Sequence, residues 1–246
     1  MRESLSRIKT LTGRNIKEIM RDPLSLIFMM ALPLVMEILF YSIFHGLTSQ
    51  FDMKYLAPGI VVFSQAFLTL FTGLLIALDR GSSFLIRLYV SKAKPFEFIF
   101  GYALSLLPIT LIQSVLFFTV GGILDPSIFG VSMIPAVLMS IFTSLLFIAF
   151  GILFGSLCNE KSIGGVSSII ITGQSVLSGM WFPTEGLGGG FITVMNCLPF
   201  KNAALAVQNT LNGEGDILVP ALITLGYTVA AFVIAILVFK SKMKAE

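Results

Sequence analysis

Six long apolar runs divide the chain, at about 24–45, 56–78, 97–120, 133–157, 163–182 and 217–239. Each is close to the ~20 residues that carry a helix across the hydrocarbon core of a bilayer. Residues 3–21, ahead of the first run, follow a different pattern. At about 100° per residue, Leu5, Ile8, Thr12, Ile16, Ile19 and Met20 gather on one side, while Arg7, Arg14, Lys17 and Arg21 lie opposite. That two-sidedness predicts an amphipathic helix in the plane of the interface, its apolar face in the acyl boundary and its basic face toward headgroups or a cytoplasmic partner. The plainer alternative is a solvated basic terminus. Asp22-Pro23 ends the segment, because the residue before a proline is pushed out of the α region.

Two connections are unusual. Between Asp79 and Glu97, the residues Phe84, Leu85, Leu88 and Tyr89 repeat at helical spacing beside Arg87 and Lys92, which predicts a short amphipathic helix parallel to the membrane. Segment 183–216 opens with Pro183 and a turn rich in glycine (Gly186, Gly188, Gly189, Gly190). Apolar stretches then follow at 191–200 and 203–211, each too short to span, so two re-entrant or interfacial half-helices are expected. Pro58, Pro135 and Pro220 stand at or near span starts, where a missing N–H costs nothing. Pro33 and Pro108 lie inside spans and should kink them. Small residues four apart, at Gly151/Gly155, Gly164/Ser168 and Ser175/Gly179, suit close helix approach. The expected fold is one all-α membrane domain over residues 1–246, with six transmembrane helices, an N-terminal interfacial helix and short outer half-helices before the sixth span.

Charge gives the orientation. Of the 16 lysines and arginines, all but Lys54 and Lys201 fall in alternate gaps beginning with the N-terminal one. This is the positive-inside pattern, so both termini are expected in the cytoplasm and 183–216 outside, in a multi-pass protein of the plasma (inner) membrane. Hydrophobic residues make up 56% of the chain and charged ones 12%, against roughly 45–50% and about 25% in soluble domains, which excludes soluble readings. The net charge of +3 reflects this sidedness and attraction to anionic lipid, not nucleic-acid binding. The first apolar run is too long for a signal-peptide core and should act as an uncleaved anchor. Cys158 falls inside and Cys197 outside, so a disulfide within one chain would have to cross the bilayer, and two free thiols are expected.

The catalytic inventory is poor. No G-x-x-x-x-G-K-[ST] loop is present, so the chain by itself is not expected to hydrolyse ATP. His45 is the only histidine and ends the first span, the spans carry one acid, and Gly173 to Ser175 reads as small-residue packing. An enzyme is not expected, nor a metal or cofactor held by this chain. The one acid within the spans, Glu37, costs roughly 2.5–3.5 kcal/mol to insert and should face the bundle interior. It is either a translocation-path residue contacting a cation or a buried hydrogen-bond partner for Gln65, Gln113 or Gln174.

Across its whole length the sequence resembles the permease subunits of ABC-2 type ABC transporters. Arg21-Asp22-Pro23-Leu24-Ser25 is similar to that family's turn between an interfacial helix and the first span, and Tyr55-Leu56-Ala57-Pro58-Gly59 to its second-span start. The family's D-R-E-x-G-T-x-x-R-L stretch lies without a gap on Asp79-Arg80 and Arg87-Leu88, continuing to Glu97 and Gly101. Gly81, Ser83 and Lys92 replace its usual acid, glycine and proline. Ser178-Gly179-Met180-Trp181-Phe182-Pro183 and Leu198-Pro199-Phe200 resemble its fifth-span exit and outer half-helices.

The resemblance implies a homodimer or heterodimer with twelve spans in all, joined to cytoplasmic ATPase subunits that bind ATP and Mg and working as an exporter. Loop 79–97 would be the coupling helix, with Asp79, Arg80, Arg87, Leu88, Tyr89 and Glu97 carrying the contact and the basic helix 3–21 beside it. With Phe 23, Tyr 5 and Trp 1, the aromatic usage favours a lipophilic or amphiphilic cargo (drug, peptide or lipid-like) over a glycan, for which rings with a polar tip are expected. The alternatives are a polysaccharide exporter permease and a membrane channel or scaffold without ATP coupling.

Overall fold

The computed structural model describes residues 2–82, 94–182 and 187–245. Among these residues there are nine α-helices and no strand: α1 (Arg2–Met20), α2 (Pro23–Phe44), α3 (Met53–Gly81), α4 (Pro95–Leu124), α5 (Met133–Leu157), α6 (Glu160–Leu177), α7 (Gly189–Cys197), α8 (Pro199–Asn212) and α9 (Leu218–Ala245). The break between α1 and α2 is built from the Asp22-Pro23 pair. Proline occupies the first helical position of α2, and the Asp22 carboxylate accepts from the Ser25 backbone N–H at 3.1 Å.

Helices α2, α3, α4, α5 and α9 are long and apolar enough to cross a membrane, and the bent pair α7–α8 adds a sixth if taken as one span. The apolar run 163–182 is helical only over Glu160–Leu177. Serine, threonine, glycine and Gln174 dilute this helix, and beyond it Gly179 sits at φ +73°, a left-handed backbone that cannot continue a helix. Nevertheless α6 runs along α3 for most of its length. Ile163 packs at Gly73 toward the α1 end, and Trp181 meets Phe63 at 5.8 Å and Phe40 at 4.7 Å toward the far end.

α3 is the hub. Of its most apolar window 78% is buried, against 17% for α2 and 28% for α9, whose outer faces stay uncovered. Its closest neighbour is α5, and glycines set the spacing. A Cβ at Gly155 would lie 2.7 Å from the Gly73 carbonyl oxygen, and one at Gly151 would lie 2.8 Å from that of Thr69. The expected close approach at Gly151/Gly155 is therefore made inside the bundle. Buried polar side chains line the same seam. Gln65 donates to the Ser140 carbonyl at 2.8 Å and accepts from Thr143 at 2.9 Å, and Thr69 donates to the Phe147 carbonyl at 3.0 Å. Gly164 meets no other atom within 4 Å and Ser168 is exposed, so that pair makes no approach within this chain.

α2 and α4 run through Pro33 and Pro108 without a break. Pro58 lies in the second turn of α3, which begins earlier than the apolar run, at Met53. Two short helices occupy the far end where half-helices are expected, but the second starts at Pro199, ahead of the apolar stretch from 203. They meet at 75°. Asn202 fixes this corner by donating to the carbonyls of Asn196 (2.8 Å) and Leu198 (2.7 Å), the otherwise orphaned acceptors at the end of α7.

Candidate functional site

The charged residues that the chain does bury are concentrated at the α1 end. Asp79 lies in the last turn of α3 and Glu97 in the first turn of α4, on either side of segment 83–93. Glu97 is fully buried and accepts from the Lys94 backbone N–H at 3.1 Å, which closes a capping box at the start of α4. Both acids face α1. Arg7 and Arg14 are two helical turns apart and thus share a side of that helix. Arg7 Nε lies 3.1 Å from Glu97 Oε2. The two terminal nitrogens of Arg14 grip the two carboxylate oxygens of Asp79 in a fork, and Tyr102 on α4 donates its hydroxyl to Asp79 at 2.6 Å. Hydrogen bonding to Asp79 raises the Arg14 pKa above its ordinary value. The pair is unequal in burial: the Asp79 side chain is 5% exposed and that of Arg14 30%.

Packing brings α1 close enough for these bonds. A Cβ at Gly101 would lie 2.9 Å from the Leu11 Cβ, so only glycine lets α1 lie this near α4. Thr12 donates to the Gly101 carbonyl at 3.4 Å. Arg80 points the other way and donates to the carbonyls of Gly155 (3.1 Å), Ser156 (2.8 Å) and Cys158 (3.0 Å), so its guanidinium caps the end of α5. Asp79 and Arg80 together tie the end of α3 to α1, α4 and α5.

The structure modifies the expectation for α1. The surface that packs on protein is the sector through Leu11 and the buried Asn15, between the apolar and basic sides; Leu5 and Met20 remain 62% and 64% exposed. Of the four basic residues, Lys17 and Arg21 are exposed, whereas Arg7 and Arg14 are turned inward to the acids. Asp79, Arg80 and Glu97 are likewise engaged within the chain. Arg87, Leu88 and Tyr89 lie outside the described residues. Tyr102 and Leu11 complete the site without having been expected, and Gly101, the end of the motif-like stretch, supplies the close approach. Tyr102 sits in an apolar run with no local signal, though the seven-residue spacing of Arg7 and Arg14 could have suggested paired acids.

Glu37 lies apart from this cluster. It is fully buried toward the far end of α2, beside Ala57 of α3, Gly121 of α4 and Ile128, with its Oε1 3.2 Å from where a Gly121 Cβ would be. Neither carboxyl oxygen has a hydrogen-bond partner among the described residues. The three glutamines considered as partners do not reach it. Gln65 bonds Ser140 and Thr143, Gln113 reaches the Met29 carbonyl at 3.5 Å, and the side chain of Gln174 has no partner among the described residues.

The family model described as ABC-2 type transporter matches residues 6–211. No curated protein matches the chain.

Proposed function

The chain belongs to the ABC-2 type transporter family, and from that premise we propose that it is the permease subunit of an ATP-driven exporter carrying a lipophilic or amphiphilic cargo. A membrane-embedded permease is what the family and the apolar helices establish. The observation that carries the mechanism is the anchoring of α1 to both flanks of segment 83–93, through Arg14–Asp79 on one side and Arg7–Glu97 on the other. These ion pairs tie the ends of α3, α4 and α1 to one another on both flanks of the segment, so a force applied at the flanks reaches all three helices. The segment is therefore suited to pass on the closure of an ATPase docked against it. ATP and Mg are held by that partner, and ATP-driven closure shifts the population of the spans toward an outward-open state. Arg80, locked onto the end of α5, extends the linkage to a third span.

In this reading Arg87, Leu88 and Tyr89 supply the contact with the ATPase, while Asp79, Arg80 and Glu97 transmit it. The assembly holds two permease copies in the plasma membrane, with termini in the cytoplasm and the α7–α8 corner outside, as the partition of lysine and arginine supports. Glu37 is a translocation-path residue. Replacing Leu88 and Tyr89 together by Asp tests the coupling: the variant should insert normally but fail to retain the ATPase on co-purification, or leave its hydrolysis uncoupled from transport. Unchanged transport by the double variant would remove segment 83–93 from the mechanism.

A further inference from the structure

Only two lysines, Lys54 and Lys201, lie at the far end of the bundle against the bias that gathers the other basic residues at the opposite end. Tyr55, which follows Lys54 in the sequence, and Lys201 come together at this end of the bundle. A cavity of about 250 Å³ is lined there by Ser49, Gln50, Tyr55, Ser178, Lys201 and Gln208. Lys201 is one of the lining residues; Lys54 is not, and its ammonium sits 4.9 Å from the centre of the ring of Tyr55, which is. From these we infer that the cavity is a binding site for a phosphate-type oxyanion, either the headgroup of an anionic lipid or a free phosphate.

Bonds between elements hold the walls in place. Gln50 donates to the Gly179 carbonyl at 2.6 Å and joins the turn before α3 to the exit of α6. Asn212 donates to the Lys54 carbonyl at 3.2 Å and joins the end of α8 to the start of α3. Lys201 Nζ donates to Asn196 Oδ1 at 2.8 Å, which orients the ammonium and spends one of its three N–H groups. The remaining wall is hydroxyl and amide apart from Gly179 and Leu205, and no carboxylate lines the cavity among the described residues. Asp52, which immediately precedes α3, lies instead with His45 at 3.8 Å. A cation with uncharged donors and no competing acid selects a ligand that is anionic and rich in acceptor oxygens. The size agrees, since drug-sized ligands occupy about 300–1,000 Å³ and this cavity takes a headgroup but not the whole amphiphile. Anion binding here does not depend on which cargo the permease carries.

The test uses the purified full-length chain with two probes, short-chain phosphatidylglycerol against phosphatidylcholine followed by native mass spectrometry, and inorganic phosphate followed by calorimetry. Wild type should retain phosphatidylglycerol over phosphatidylcholine, and K201Q should weaken that retention about tenfold or more, the loss of one charge-assisted bond. K201R should restore it. Phosphate binding with the same dependence on Lys201 identifies a free anion as the ligand, whereas lipid retention without phosphate binding identifies the headgroup. Should K201Q fail to fold, Q208L carries the same comparison and is expected to reduce retention. Equal retention of the two lipids by wild type, together with no phosphate binding, would overturn the assignment. So would retention unchanged in folded K201Q.

Discussion

Removing Arg14 should release α1 further than removing Asp79 does, although the two side chains share one ion pair. Arg14→Ala leaves the Asp79 carboxylate 5% exposed, with the Tyr102 hydroxyl still donating to it. Breaking a buried pair in this way costs about 3–5 kcal/mol, because the stranded charge stays desolvated. Asp79→Asn leaves the guanidinium instead, and with a side chain 30% exposed it can rehydrate and keep Glu18 at 3.6 Å and Asn15 at 3.1 Å. The loss is then about 1.5–3 kcal/mol, the worth of hydrogen bonds to a charged group. Combining the two substitutions removes both charges, so the double variant should fall short of the sum by about 1–3 kcal/mol. Amide exchange of the 2–20 segment in the detergent-solubilised protein reads this directly, since α1 opens locally. At about 1.4 kcal/mol per tenfold, Arg14→Ala should speed exchange more than about a hundredfold where local opening dominates. Equal exchange in the two single variants, with strict additivity in the double, would refute the account of unequal burial.

Gly155→Ala should lower thermal stability by about 1–3 kcal/mol, because its Cβ meets backbone of α3 that cannot swing aside; Gly164→Ala, with open space around it, should leave the melting temperature unchanged. An impermeant thiol reagent on intact cells should reach the exposed Cys197 and spare Cys158, and the opposite labelling would invert the proposed orientation. Glu37→Leu should insert more readily, by about the 2.5–3.5 kcal/mol that a carboxyl costs at membrane depth, yet lose transport. Glu37→Gln should assemble normally and also lose transport, and normal transport by both variants would remove Glu37 from the path.

The sequence by itself determined five of the long helices, the break at Asp22-Pro23 and the family. These follow from short-range features: apolar length, proline geometry, charge sidedness and motifs quoted in order. It also brought Asp79, Glu97, Arg7 and Arg14 forward as residues of interest, because charges are sparse in this chain and stand out wherever they occur. Only the tertiary structure decided their use. Whether a basic residue on α1 faces headgroups or an acid depends on how far the helix is rotated and how closely it approaches, and Gly101 and Leu11 set that approach from different helices. Periodicity located the apolar side of α1 correctly but not its buried side, since in a bilayer an apolar surface can face lipid as well as protein. The same reason let the sequence read 163–182 as a span of its own. A diluted run ending at Gly179 gives a weak hydropathy signal, and its full-length packing rests on contacts with α3 that lie about a hundred residues away in sequence. The meeting of Tyr55 with Lys201 is the extreme case, because nothing local links them and only the packing of α8 beside the start of α3 sets them around one cavity.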